Sequence, residues 1–441
     1  MDVENLPETI KYYLTIGLFM SQKLRAFALL SILISAFSLI SSCRRQPADL
    51  NGSWQGAVYL SRNEGDEVPF RIELKQEGGK VIGALVNGDE RITSTSGTWD
   101  GQNLKLRFDY YDGELNAALI RHEMIGDFTR QWQKQMLKRP VKFWRNRQDF
   151  NPPTSDSRTV SGEWLLHVGE GEKAKVWRAS FNQQGSAVTG TLIPPSGDWG
   201  VMTGNCYDGK LMLSRFDGIN AHNFKAVLTD TGTLEGEVDL GLPDNRTRKV
   251  VGEKVAPKPE PAGSAQTDPN FVTKVKNPVE AFRFSFPDLD GKTVSLTDER
   301  FKHKVVIASI TGSWCPNCHD EVKVLNDLYD RYHAQGLEIV GLAFEYTGEV
   351  TRDREQVRKG FIVRHGVKFP MLLAGSTAEG EVEQKLPQLT GFGAFPTTIF
   401  IGRDGLVKRI HAGFEGPATG DNYIKLKAGM EELVRELLSN K

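Results

Sequence analysis

The chain has 441 residues, with 55 Lys and Arg against 56 Asp and Glu. That length exceeds one ordinary domain, and a formal net charge of −1 excludes a global attraction to nucleic acid. Only four cysteines occur, so a structural disulfide framework is excluded as well.

In chain order, the first feature is a processing signal. Lys23 and Arg25 supply a positive start, and residues 26–40 form an apolar stretch shorter than a membrane-spanning helix. It ends in Ile40-Ser41-Ser42-Cys43, which resembles a bacterial lipobox with Cys43 as the lipidated residue. Met20 then offers an alternative start, and residues 1–42 are expected to be a leader. An uncleaved membrane anchor is the alternative. Either version leads to a periplasm-facing protein held at the membrane.

Two β-domains are expected next, over 43–150 and 158–252, because the sequence repeats. Gly52-Ser53-Trp54 recurs as Gly162-Glu163-Trp164, and Val81–Leu85 recurs as Val188–Leu192. Asp100-Gly101 recurs as Asp208-Gly209, and Asp112-Gly113 as Asp217-Gly218. Short alternating runs between Gly turns predict antiparallel hairpins closing into a small barrel or sandwich. Cys206 falls where the first copy has Trp99, which predicts a buried structural site rather than a redox one. The basic run from Lys138 to Arg147 reads as the solvated face of a strand. Nothing in this half has the spacing of a catalytic constellation.

A Pro-rich linker at 253–270 separates the repeats from the last domain, 271–441, and predicts that this domain moves as a body. Phe282–Phe286 alternates like a strand, and Thr297 or Asp298 is placed to cap a short helix. Val305–Ile310 reads as a buried central strand and Val322–Tyr332 as an amphipathic helix that ends at Gly336. Leu337–Phe344 is a second buried strand. Helical stretches are expected at 351–365, 379–386 and 423–438, with an extended piece at 369–373 and a hairpin over 397–410. Strands alternating with helices imply an α/β sheet covered on both faces.

The central strand runs into Trp314-Cys315-Pro316-Asn317-Cys318-His319. Two thiols three apart at a helix start suit dithiol–disulfide exchange: unpaired N–H groups favour the first thiolate, which is expected to face solvent, and the second lies one turn on. Half of a zinc site and a c-type haem attachment signature compete for the same residues. The zinc reading lacks a second pair, and the haem reading must explain why an apolar strand leads directly into Trp314.

Trp314-Cys315-x-x-Cys318 with Glu321, followed far downstream by Phe395-Pro396-Thr397-Thr398, resembles the TlpA/ResA-like thioredoxin-fold thiol–disulfide oxidoreductases. The resemblance covers the chain from about residue 278 onward. It implies no cofactor and a redox-active disulfide between Cys315 and Cys318. Cys315 would be the attacking thiolate and Cys318 the resolving thiol. Pro396 would be a cis proline against the dithiol, with Trp314, Pro316 and Phe395 contacting substrate. Thioredoxin itself has a buried Asp where this chain has Ser309, and the family's alternative carboxylate corresponds to Glu321. Glu345 is a second candidate carboxylate, and His319 is expected to point away from the sulfurs. The chain departs from the family at Ile310-Thr311, where an aromatic pair is frequent.

The resemblance implies a protein disulfide reductase acting on disulfide-bonded clients, apocytochromes c among them, with electrons from a membrane thiol donor. A peroxiredoxin-like peroxidase would need Thr or Ser where Gly312 stands. The remaining alternative is a binding lipoprotein whose β-repeats capture a ligand while the redox domain assists.

Overall fold

A computed structural model describes residues 49–60, 66–132, 135–145, 158–171, 174–241, 246–255 and 273–440. The expected leader, Cys43 and residues 256–270 of the expected linker lie outside the described residues.

The first repeat comprises β1 (Gly52–Tyr59), β2 (Glu67–Glu77), β3 (Lys80–Asn87), β4 (Glu90–Thr93), β5 (Ser96–Trp99), β6 (Asn103–Phe108), β7 (Gly113–Ile120), β8 (Glu123–Trp132) and β9 (Gln135–Arg145). Each pairs antiparallel with the next in space, and β1 pairs with both β2 and β9. Contacts between β2 and β3 close the ring. Both β4 and β5 pair with β3, so together they fill one strand position, broken where Ser94 bonds Gly83. Eight positions therefore make a closed barrel.

The second repeat comprises β10 (Gly162–Val168), β11 (Lys175–Gln184), β12 (Ala187–Ile193), β13 (Met202–Tyr207), β14 (Lys210–Phe216), β15 (Ala221–Leu228), β16 (Leu234–Asp239) and β17 (Thr247–Val255). These also close into an eight-stranded barrel. Of the two architectures the alternation allowed, both copies adopt the barrel.

The repetition extends to side-chain bonds. Trp54 Nε1 donates to Leu50 O at 2.9 Å and Trp164 Nε1 donates to Val160 O at 2.8 Å. Gln76 Oε1 accepts from Leu50 N, and Gln183 Oε1 accepts from Val160 N. Trp99 pairs with Leu104 as Cys206 pairs with Leu211, and both Trp99 and Cys206 are buried. Lys138 and Lys142 pair with Asp127 and Glu123 on the outer face, so the basic run is a solvated strand face as expected.

In the last domain β18 (Lys274–Val275), β19 (Ser285–Pro287) and β20 (Thr293–Ser295) precede the main sheet. That sheet contains β21 (Val305–Thr311), β22 (Leu337–Glu345), β23 (Met371–Ser376), β25 (Thr397–Ile401) and β26 (Val407–Ala412), in the order β23-β22-β21-β25-β26. The short β24 (Leu389–Thr390) pairs with β18. The first three sheet strands are parallel, and β25 and β26 run antiparallel to them. Helices α1 (Pro316–Tyr332) and α4 (Asp421–Ser439) pack on one face. The other face is covered by Phe282, Phe284 and Phe286 and by the short α3 (Glu381–Lys385). Every residue of β21 and β22 is buried, which explains why both are mainly apolar.

Three expectations change. No helix starts at Thr297 or Asp298. Residues 297–303 form successive turns instead, with Asp298 Oδ2 accepting from Ser295 N rather than capping onward. The helix expected at 351–365 forms as α2 (Val350–Val357), then widens to a π-type turn over Arg358–Val363. Finally, the redox domain does not stand apart from the repeats. Asp112 and Arg352 pair across its boundary with the first barrel, and Arg178 and Glu415 across its boundary with the second. The barrels also engage each other: Phe216 packs against Phe70 and Phe128 at 5.4 and 5.1 Å, and Arg215 pairs with Glu90.

Candidate active site

The strand–turn–helix unit places the dithiol. Gly312 follows β21, and a side chain there would collide with Trp314 Nε1 and Phe344 O. Only glycine fits, so the hydroxyl that a peroxidase site needs cannot be accommodated at that place. Cys315 is the N-cap of α1, with its Sγ accepting from Cys318 N at 3.2 Å, and Pro316 occupies the first turn, where no N–H is needed.

Cys315 and Cys318 form a disulfide with their Cα atoms 5.2 Å apart. Cys318 is fully enclosed. Cys315, expected to face solvent, keeps only 4% of its surface. Its Sγ lies 3.7 Å from the carbonyl oxygen of Phe395, and the Phe395–Pro396 peptide is cis. Trp314 packs edge-on against Phe395 at 5.2 Å, and this loop covers the sulfur. Asn317 donates to Phe414 O at 3.2 Å.

Glu321 lies one turn beyond Cys318 on α1 and is 1% exposed. Its Oε2 accepts from Ser309 Oγ at 2.6 Å and its Oε1 accepts from the hydroxyl of Thr398. Ser309 and Thr398 are themselves paired across β21 and β25. Burial outweighs those two bonds and pushes the Glu321 carboxyl up to about 7. Such a group exchanges a proton near neutrality. Ser309 thus serves as a donor to the carboxylate.

Glu345 ends β22 and holds the turn before the dithiol. Its two oxygens accept from Ser313 N at 2.7 Å and Ser313 Oγ at 2.6 Å, and burial pushes it up to about 8. Next to it, Phe344 O accepts from Trp314 Nε1 at 2.9 Å. His319 Nε2 lies 2.7 Å from Ser313 O, and its Nδ1 lies 2.8 Å from His365 Nε2. A carbonyl can only accept, so the proton sits on His319 Nε2 and Nδ1 accepts from His365. Burial, with Arg364 and His365 nearby, pushes His319 well below its ordinary range. It therefore stays neutral and faces away from the sulfurs. Both of its ring nitrogens are committed, Nε2 to Ser313 O and Nδ1 to His365. Among the described residues, no three His, Cys, Asp or Glu side chains group as metal ligands.

Both barrels reach this site, which the sequence did not signal. Tyr111 meets His319 edge-on at 5.3 Å, and Arg364 lies 3.8 Å over the Tyr110 ring. Arg130 Nη1 donates to Tyr346 Oη at 2.7 Å. From the second barrel, Gly197 bridges to Phe414 and Asp198 accepts from Gly416 N. A small cleft lies between Tyr110, Tyr111, Gln131, Ser313, Glu345 and Tyr346. Of these contributors, Glu345 and His319 were singled out in the sequence as site residues, and Tyr110 only as a core aromatic of the first repeat. The others come from turns and strand ends without a telling spacing.

The AhpC/TSA family profile matches residues 278–410. The thiol–disulfide oxidoreductase ResA of Bacillus thuringiensis (strain Al Hakam) is 31% identical over 157 residues, which is 35% of this chain and 82% of that relative. ResA of Geobacillus thermodenitrificans is 32% identical over 130 residues, covering 30% of this chain and 66% of its own. Among solved structures, a thioredoxin-family thiol:disulfide interchange protein from Chlorobium tepidum TLS is 21% identical. It covers 38% of this chain and 100% of its own, with a TM-score of 0.28. StoA from Bacillus subtilis is 20% identical, covers 33% and 97%, and has a TM-score of 0.24.

Proposed function

Because the chain belongs to the ResA-like thiol–disulfide oxidoreductases through its C-terminal third, we propose that it reduces disulfides in client proteins. The observation that carries this reading is the Cys315–Cys318 pair capping α1, with the buried carboxyl of Glu321 one turn behind it. In the reduced protein the Cys315 thiolate attacks a client disulfide, forming a mixed disulfide and releasing one client thiolate. Glu321 takes the proton from Cys318. The Cys318 thiolate then attacks Cys315 Sγ, closes the internal disulfide and expels the second client thiolate. Two electrons from an external thiol donor restore the dithiol.

Pro396 keeps a backbone N–H away from the sulfurs, and the main chain of Phe395 pairs an extended client, flanked by Trp314 and Pro316. The lipobox-like Ile40–Cys43 supports anchoring by lipid at Cys43 on a periplasm-facing membrane. On that surface a membrane thiol protein is the natural donor, and apocytochromes c are natural clients. No helix among the described residues is long and apolar enough to cross a membrane. The deciding measurement is the reduction potential of the couple, together with reduction of a model cystine peptide. A potential well above that of the surrounding thiol pool would make the protein an oxidant and end the reductase reading.

A further inference from the structure

Among the described residues, two arginines are almost wholly buried: Arg215 at 2% and Arg130 at 1% exposure. Arg215 is matched by the carboxylates of Glu90 and Asp217. Arg130 has no such match. Its Nη1 donates to Tyr346 Oη, while its Nε and Nη2 have no hydrogen-bond partner. The guanidinium carbon sits 4.9 Å from the ring centre of Trp132 and 6.0 Å from that of Tyr346. A desolvated cation without a counter-charge is unfavourable by several kcal/mol, and cation–π contact returns only about 2.

The barrel itself does not require this charge. Gly126 opposes Ala117 in the first barrel, as Gly236 opposes Ala226 in the second. Four residues further on, Arg130 corresponds to Leu240, which packs against an apolar core. The same place in the same fold is filled without a cation.

What surrounds Arg130 points to a ligand. Partly exposed aromatic rings run from it to the dithiol and beyond. Trp132 lies 4.8 Å from Tyr346, Tyr346 lies 5.4 Å from Trp314, and Trp314 adjoins Cys315. Beyond Trp314 the row continues through Phe395 to Phe392. The nearby carboxyls are committed elsewhere, Asp112 to Arg107 and Arg352 and Glu345 to Ser313. We propose that Arg130 and this aromatic row form a client-binding subsite that accepts a carboxylate, an acidic side chain a few residues from the client's cystine. Two free nitrogens on one planar fork suit a carboxylate, and two to four residues of extended chain, at about 3.3 Å each, reach across the ring contacts. In the unliganded protein the Trp132 indole covers the guanidinium, so the carboxylate displaces that ring on entry.

The proposal rests on the reductase reading, and the test separates the two. Oxidised cystine peptides differing only in Glu or Gln, scanned two to four residues from the cysteine, are reduced by the full chain. Serine versions of the same peptides are titrated by calorimetry. Wild type should favour one Glu peptide by about tenfold in kcat/KM and in affinity, the scale of one charge-assisted contact. Arg130→Leu, the residue type of the second barrel, should erase that preference, bringing the Glu peptide to the level of the Gln peptide. Arg130→Lys should retain part of it. Equal handling of all Glu and Gln peptides by wild type, which needs no variant, would overturn the subsite. So would a preference that survives Arg130→Leu. If neither cystine peptide is reduced but the acidic serine peptide still binds wild type more tightly than Arg130→Leu, the subsite stands and the reductase reading falls.

Discussion

The two barrels share an interior and differ at their rims. Inside, Trp54 answers Trp164, Gln76 answers Gln183, and Gly126 answers Gly236. At the rims the resemblance fails: Arg130 stands against Leu240, and Tyr111 of the first barrel and Asp198 of the second reach different parts of the redox domain. Interior positions are constrained by packing that any eight-stranded ring must satisfy. Rim positions answer to whatever each barrel touches. The difference therefore follows the contacts that each barrel makes, and the shared interior marks the scaffold.

That division would break most visibly if the chemistry did not reside in the third domain. Cys318→Ser should stop turnover and accumulate mixed disulfides with clients, seen on non-reducing gels and released by reductant. Cys315→Ser should stop turnover and trap almost nothing, because Cys318 is enclosed. Equal trapping by both would reverse the order of attack. Next in size, Glu321→Gln should slow turnover by about 10²-fold and flatten the pH–rate profile near 7, with the barrels intact. An unchanged profile would reduce Glu321 to a structural link between Ser309 and Thr398.

The interior half of the comparison is tested by paired substitutions. A Cβ at Gly126 would strike the backbone of Asn116, and one at Gly236 the backbone of Lys225. Alanine at either should therefore destabilise by about 1–3 kcal/mol, and by similar amounts. Unequal losses in denaturant melts would show that the two interiors are not equivalent.

Stability should also depend on pH through the buried carboxyls. Burial raises Glu321 from 4.5 to about 7 and Glu345 from 4.5 to about 8. The folded state thus holds protons that the unfolded chain releases above 4.5. This contribution is complete below 4.5 and is lost as pH rises through 7 and 8. Glu345→Gln should make the decline shallower, and an unaltered slope would contradict the assignment. The smallest expected effect is Trp54→Phe beside Trp164→Phe, each removing one indole-to-carbonyl bond for about 1 kcal/mol.

The repeat, the dithiol and most of the α/β elements were legible because each rests on local pattern. Asp-Gly turns, alternation, an apolar run before Trp314 and the Pro396-Thr397-Thr398 strand entry all act over a few residues. Glu321 was legible from its one-turn spacing, but its partners Ser309 and Thr398 come from different strands and were not. The turns at 297–303 were misread because an Asp that could cap a helix bonded backward to Ser295 instead. The docking of Tyr111, Arg130 and Asp198 was illegible for a different reason. It joins surfaces more than a hundred residues apart, where no periodicity survives.

The insertion of Phe216 between Phe70 and Phe128 bears on how the two repeats melt. Beads on a string would give two calorimetric transitions. Here the second barrel completes the first one's apolar packing, Asn87 exchanges hydrogen bonds with the Phe216 backbone, and the buried Arg215 finds one of its counter-charges on Glu90 across the boundary. Opening either barrel strands an aromatic ring and a cation belonging to the pair. The two repeats are therefore expected to melt in one calorimetric transition, each losing stability when the other opens.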